Sequence, residues 1–425
     1  MATFAFSQDG EVRRTSRSFY RGENTNFHPT NASFQGDQAI SSYVMQGWIP
    51  RERFVTPETA IVAFGSCFAS NISNYLHERN YNVLNRGNND AYVTKLGDGM
   101  VNTYAILQQF SWAWEGVAPQ ADVWHGKKAE DFAHDELVRL ETKELFDNAD
   151  LFIITLGLSE LWYDKPTGEV FWRAVPADVY DSQRHCFRTA SHAETLHNLH
   201  RIYELIRRYR PAARILFSVS PIPLTATFRP ISCITADAVS KATLRSALDE
   251  FLQAHGEADG VYYFPSYEAV KRIFHYQWGE DRRHVRRDVL DFNMKLFEHY
   301  YCSPGIGADE VRAAYDHAWE LDHNRAENQR QHDVVSYEER RAITKQAKIN
   351  ARIEARRVER EKVLSERREQ QLRQAQLHRR AKSWLQKAVK TKSGVYVQYA
   401  AQTAVALLAL DGLTDWMDWI PLVFE

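Results

Sequence analysis

The chain has 425 residues, enough for two or three domains, and its 44% apolar content suits a globular protein with a real core. A net charge of −2 gives it no overall pull toward nucleic acid or a membrane. Its four cysteines, Cys67, Cys186, Cys233 and Cys302, are scattered without metal-ligand spacing; they exclude a disulfide framework and fit a reducing cytoplasm.

Residues 1–57 are polar, with scattered aromatics, and read as an irregular segment wrapping the next domain or partly disordered. Residues 1–23 carry Asp9, Glu11 and several arginines, with no continuous apolar core of signal-peptide type, so secretion by that route is not expected. A strand–helix alternation begins at residue 58 and runs to 302. Ala60 to Gly65 is a β-prone run ending at a glycine; Ser66 to Arg79 carries Phe68, Ile72, Tyr75 and Leu76 at helical spacing. Tyr81 to Leu84 predicts a short strand, and Gly97 and Gly99 a loop before a helix around Thr103 to Trp114. Asp150 to Gly157 is a continuous apolar strand, of the kind buried on both faces. Ser191 and Glu194 form a capping box before a helix bearing Leu199, Ile202, Tyr203 and Ile206. Arg214 to Val219 is a strand, Thr235 to Leu252 a helix, Val261 to Phe264 a strand and Asp288 to Tyr300 a helix. Repeated units of this kind imply a mostly parallel sheet covered on both faces, binding ligands at the carboxyl ends of its strands.

Residues 303–337 read as a linker. Residues 338–392 hold 18 of the chain's 53 Lys/Arg and only 7 of its 55 Asp/Glu, without glycine or proline, which predicts a basic helical arm. The remainder is left with 35 basic against 48 acidic residues, so the chain is polarised. The arm's Ile343, Ile349, Ile353, Val358 and Leu364 keep no strict heptad, which argues against a firm coiled coil. Residues 393–425 form an apolar and aromatic tail. Lys387, Lys390 and Lys392 precede it, but Gln398, Gln402 and Thr403 interrupt it, which favours a packed or partner-docking helix over a membrane-associated one. The arm suits a protein partner or an anionic membrane surface; no specific nucleic acid is expected.

The strand-to-helix turn at Gly65-Ser66 exposes a hydroxyl at the edge of a sheet, beside the first N–H groups of a helix. A serine there is ordinarily an N-cap; it is also where a nucleophile would stand. Cys67 is a rival nucleophile, expected to point into the packing instead. Asp281 and His284 are three apart and can fold onto one loop, the carboxylate fixing the imidazole tautomer while the other ring nitrogen serves Ser66. As an isolated pattern this spacing is weak, and a surface loop explains it equally well. Arg282 and Arg283 pair with nearby acids or draw an anionic substrate to the site. Gly97 or Gly99, Gly157 and Ser159 are candidate contributors to an oxyanion site. No metal-ligand cluster is visible, so the chemistry needs no metal or other cofactor.

Gly65-Ser66-Cys67-Phe68-Ala69 spells the defining motif of the GSCFA-domain family. Thr155-Leu156-Gly157-Leu158-Ser159-Glu160-Leu161-Trp162, Val219-Ser220-Pro221-Ile222-Pro223-Leu224, Ser240-Lys241 with Leu244-Arg245, and Tyr263-Phe264-Pro265-Ser266-Tyr267-Glu268 resemble its other segments, over roughly residues 51–300. The family resembles the SGNH (GDSL-like) hydrolases, serine esterases on a three-layer α/β/α fold. The resemblance implies Ser66 as nucleophile, Gly97 or Gly99 and Gly157 as the block glycines, and Asp281 and His284 as the remaining triad. Where that superfamily has asparagine and then aspartate, this chain has Ser159 and Glu160, a shorter donor in the oxyanion position, which implies slower activity, Asn102 as the substitute donor, or transfer in place of hydrolysis. The expected activity is hydrolysis of small O-acyl esters, acetyl above all, on a small molecule or glycan. The alternatives are acyl transfer by the same triad, or a catalytically inactive scaffold working through the basic arm. The expected location is cytoplasmic, with membrane-peripheral contact through the tail.

Overall fold

The computed structural model describes residues 4–8, 11–15, 25–118, 135–172, 174–328, 337–390 and Tyr399. The chain divides into two compact units, residues 1–333 and 334–425. The first opens with an antiparallel hairpin, β1 (Phe4–Gln8) and β2 (Glu11–Thr15), and two short helices, α1 (Asn31–Gln35) and α2 (Ala39–Tyr43). There follow β3 (Ile61–Phe64), α3 (Cys67–His77), α4 (Tyr92–Lys95), α5 (Thr103–Phe110), α6 (Glu136–Asn148), β4 (Leu151–Leu156) and a hairpin of β5 (Glu160–Asp164) and β6 (His185–Thr189). Then come α7 (His192–Tyr209), β7 (Arg214–Val219), α8 (Cys233–Ala254), β8 (Val261–Tyr263), α9 (Ser266–Ile273), α10 (Arg287–Tyr301) and α11 (Ala308–Asn328).

Among the described residues the main sheet is four-stranded and all parallel, in the order β3-β4-β7-β8. Alternate residues of each strand enter opposite cores, as the period of two requires. Val62, Phe64, Phe152, Ile154, Ile215 and Phe217 face a core shared with α5, α7 and α8. Ile61, Ala63, Leu151, Ile153 and Leu216 face one built from α3, α9, α10 and α11. The fold is therefore three-layer α/β/α, as the alternation of elements implied. Tyr81 to Leu84 is not a full strand: Val83 makes one parallel bridge to Ile61, and a 3-10 turn begins at Leu84. The helix expected to reach Trp114 ends at Phe110 and continues as a π turn over Ser111–Glu115.

The boundaries at both ends of the sheet domain differ from the sequence reading. The segment taken as a linker, 303–337, contains α11, whose Val311, Ala314, Tyr315, Ala318 and Trp319 are buried at i, i+3, i+4, i+7 and i+8. That spacing is an amphipathic helix, and its stripe completes the second core. Part of the polar N-terminal segment docks there too: Phe34 packs on Trp319, and the Tyr315 hydroxyl donates to the Phe34 carbonyl at 2.6 Å. In the second unit, α12 (Tyr337–Lys390) is one long helix, with Ile343, Ile349, Ile353, Val358 and Leu364 all exposed. The apolar tail, 393–425, lies outside the described residues apart from Tyr399. No helix among the described residues is long and apolar enough to cross a membrane.

Candidate active site

β3 delivers the chain to the carboxyl edge of the sheet, and Gly65 makes the turn possible. Its φ is +125°, and a Cβ there would lie 2.2 Å from the Thr155 carbonyl oxygen, so no other residue fits. This contact sets Ser66 against the end of β4. The Ser66 N–H donates to Thr155 Oγ1 at 2.9 Å, and the two hydroxyls are 2.7 Å apart. Ser66 Oγ also accepts the Phe68 N–H at 3.2 Å, so the serine caps α3 as well as standing at the sheet edge. Cys67 departs from expectation: it is exposed, because the stripe that α3 buries runs through Phe68, Ala69, Ile72, Ser73 and Leu76.

The oxyanion candidates divide by what their polar groups already do. Gly97 and Gly99 bound a 3-10 turn packed on β3; the Gly97 carbonyl accepts the Gly65 N–H at 2.9 Å, and the Gly99 N–H donates to Leu96. Gly157 serves close approach of chain to chain, not of chain to ligand. A Cβ on it would lie 2.8 Å from Val101 Cβ, and its N–H donates to the Val101 carbonyl at 2.8 Å. Asn102 is occupied as the cap of α5, its Oδ1 accepting the Ala105 N–H at 2.9 Å and its amide reaching the Phe171 carbonyl. Ser159 differs. It is 1% exposed, its N–H donates to Ser240 Oγ at 2.7 Å, and its own hydroxyl has no partner. The next residue, Glu160, is buried and accepts the Thr227 hydroxyl at 2.9 Å, which ties β5 to the loop after β7.

Asp281 and His284 share one turn, closed by a Gly279 N–H to His284 carbonyl bond of 2.8 Å and flanked by a bridge between Trp278 and Val285. Asp281 Oδ2 holds His284 Nδ1, while Oδ1 accepts the N–H groups of Arg283 and His284 at 3.1 and 3.0 Å. Burial pushes the Asp281 carboxyl up, but these hydrogen bonds outweigh it and hold the group below its ordinary range. Arg282 takes φ +54°, a left-handed conformation uncommon for a side-chain-bearing residue. Arg283 Nε donates to the Pro223 carbonyl at 3.3 Å, seating the loop over the segment that follows β7. Ser66 and His284 share no hydrogen bond: the serine is held by Thr155 and Phe68, and the imidazole, 67% exposed, by Asp281.

The loop is anchored from beneath by residues the sequence reading passed over. Arg286 and Asp322 form an ion pair with side chains 2% and 1% exposed. Arg286 also reaches Asp288 and the Tyr276 carbonyl, and Asp322 accepts the N–H groups of His275 and Tyr276 at 2.8 Å each. α11 thus fixes both ends of the turn that carries Asp281 and His284. Lys241, which the sequence placed only in a family segment, is buried and donates to the Gly157 carbonyl. Its signal was periodicity: Asp237, Ser240, Lys241, Leu244, Leu248 and Phe251 all lie on the buried stripe of α8.

The sequence profile of the GSCFA family matches residues 60–297, which covers every residue from the Ser66 turn to the His284 loop. No curated protein and no solved structure matches the chain.

Proposed function

The chain belongs to the GSCFA family, and from that premise we propose that it is a serine ester hydrolase with Ser66 as nucleophile, His284 as general base and Asp281 as the group that orients the imidazole. The observation that carries the reading is the Asp281–His284 pair, built on a turn seated at the same carboxyl edge of the sheet as Ser66. Nδ1 held by the carboxylate leaves Nε2 to take the serine proton. Ser66 Oγ then attacks the ester carbonyl, the protonated imidazole returns its proton to the departing alcohol, and water releases the acyl group from Ser66 by the reverse sequence. His284 and Ser66 meet once substrate closes the site, since catalytic hydrogen bonds are often unformed in ligand-free enzymes. The substrates we propose are small O-acyl esters, acetyl esters of carbohydrate first among them; transfer to a sugar hydroxyl is the same chemistry with another acceptor. The four unpaired cysteines favour the cytoplasm.

A fluorescent alkyl phosphonate tests the proposal. It should label the wild-type protein at Ser66, fail with Ser66→Ala and react much more slowly with His284→Ala. A folded wild type that stays unlabelled and cleaves no acetyl ester would overturn the enzyme reading in favour of a scaffold.

A further inference from the structure

Lys241 is buried on α8, 2% exposed, and its ammonium donates to the Gly157 carbonyl. An ammonium has three N–H donors, and no other hydrogen bond or ion pair to Lys241 exists among the described residues. Asp237, one turn earlier, is its nearest carboxylate in electrostatic effect, but its Oδ1 is engaged by the Leu224 N–H, and no ion pair forms. A buried cation without a counter-ion is costly, and so is a buried hydroxyl without a partner. Both occur at one turn: Gly157 is bound by Lys241, and Ser159, with its unpartnered hydroxyl, is bound by the neighbouring Ser240. That turn begins two residues after Thr155, the residue holding Ser66. Meanwhile three of the four candidate backbone donors are occupied: Ser66 N–H by Thr155, Gly99 N–H by Leu96 and Gly157 N–H by Val101, which leaves Gly97.

We infer that the Lys241 ammonium and the Ser159 hydroxyl are the donors to the oxyanion formed when Ser66 attacks an ester. The inference rests on the serine-esterase reading and adds a residue to it. It explains why a positive charge is kept against the turn after β4: the negative charge it lacks arrives in the transition state. It also supplies what the shorter Ser159 side chain lacks. Burial lowers the Lys241 pKa from 10.5 to about 8; Asp237 opposes that shift, while Lys271 of α9 and Arg283 of the catalytic loop reinforce it. Activity therefore declines as the pH rises through about 8, because the donor loses its charge.

The test is steady-state hydrolysis of p-nitrophenyl acetate, with Ser66→Ala as the blank for spontaneous hydrolysis. Lys241→Met and Lys241→Gln should lose kcat by ~100-fold or more with little change in KM, and Ser159→Ala should lose ~10-fold or more. Wild type should show a falling limb near pH 8, absent from Lys241→Arg, whose guanidinium stays charged. A merely structural lysine would lower the melting temperature of these variants and leave the wild-type limb absent. Should Lys241→Met not fold, Lys241→Gln and the wild-type profile decide. Folded variants within about threefold of wild type, or a wild-type rate level through pH 9.5, would overturn the inference. Failure of the wild type itself to hydrolyse the ester or take the phosphonate would instead overturn the esterase reading.

Discussion

Replacing Asp322 with alanine should release the loop that carries Asp281 and His284 from α11. Asp322 is 1% exposed and satisfies four groups: the Arg286 guanidinium at 3.2 Å, the His275 and Tyr276 N–H groups at 2.8 Å, and the His275 ring at 3.5 Å. Removing one partner of a buried ion pair costs roughly 3–5 kcal/mol, mostly because the remaining charge is stranded. Arg286 keeps Asp288 and the Tyr276 carbonyl, so the lower end, about 3 kcal/mol, is expected. For a unit of 333 residues, an unfolding entropy of about 2.1 cal/mol/K per residue gives roughly 0.7 kcal/mol/K, hence a fall in Tm of about 4 °C. The same change frees both ends of the turn carrying His284, and misplacement of a catalytic group by 1 Å costs on the order of a hundredfold in kcat. Differential scanning calorimetry and acetyl-ester hydrolysis read the two effects separately. The double replacement Arg286→Met with Asp322→Leu should recover stability, since an apolar pair avoids the desolvation of both charges. An Asp322→Ala protein that melts and hydrolyses like wild type would refute the anchoring role of α11.

Other outcomes follow from the same contacts. Gly65→Ala puts a methyl within 2.2 Å of the Thr155 carbonyl at a φ of +125°; strain alone is worth about 1–3 kcal/mol, so the variant should melt several degrees lower and lose phosphonate labelling. A chain ending at Asp333 should keep the melting temperature and ester hydrolysis of the first unit, whereas one ending at Cys302 lacks α11 and should fail to fold; proteolysis resistance and activity check both. Lys241 also makes stability depend on pH. Its folded pKa, about 8, lies below its ordinary 10.5, so between those values the unfolded chain binds the extra proton and stability rises with pH; below 8 the penalty is complete. The stability advantage of Lys241→Met over wild type should therefore shrink by about 2–3 kcal/mol between pH 7 and pH 10 in urea titrations, a span set by that shift at 1.36 kcal/mol per unit.

Much of this architecture was readable because strong local patterns agree with the tertiary arrangement. The six residues of β4 are apolar or β-branched and all buried, and the Ser191–Glu194 capping box opens α7 where the sequence placed it. The hairpin β5–β6 was not readable. The residues of β6, His185–Thr189, are all only partly buried and show no alternation, and some twenty residues separate the two strands. α11 was lost for a different reason: its charged residues matched the character expected of a linker, and only the spacing of Val311, Ala314, Tyr315, Ala318 and Trp319 reveals the buried face. In the site, residue types could be named from motifs, but hydrogen-bond occupancy could not. Whether Gly157 N–H is free for a ligand depends on Val101, and whether Asn102 is free depends on Ala105 and Phe171. Those partners are fixed by packing between segments, which no single motif records.

The protons around Ser66 reconcile its place as a helix cap with the nucleophilic role proposed for it. Thr155 Oγ1 accepts the Ser66 N–H, and its only other hydrogen bond among the described residues is with Ser66 Oγ. If Ser66 donates to Thr155, the Thr155 proton is left without an acceptor in a fully buried position. If Thr155 donates to Ser66, every Thr155 group is satisfied; Ser66 Oγ then accepts from Thr155 and Phe68 and keeps its own proton spare. Each arrangement leaves one hydroxyl proton without an acceptor; Thr155 is fully buried while Ser66 is 4% exposed, so the proton is better left on Ser66, where the proposed reaction needs it for His284 Nε2. The helix-cap bond uses an oxygen lone pair and leaves that proton untouched, so capping and nucleophilic attack are compatible in one side chain. Thr155→Val keeps the shape but strands the Ser66 N–H, at a cost of roughly 1–3 kcal/mol, and removes the donor that orients Ser66. Its phosphonate labelling should slow at least ~10-fold, while Thr155→Ser should stay near wild type. Equal labelling by the valine and serine variants would show that the Thr155 hydroxyl does not set the direction of the Ser66 proton.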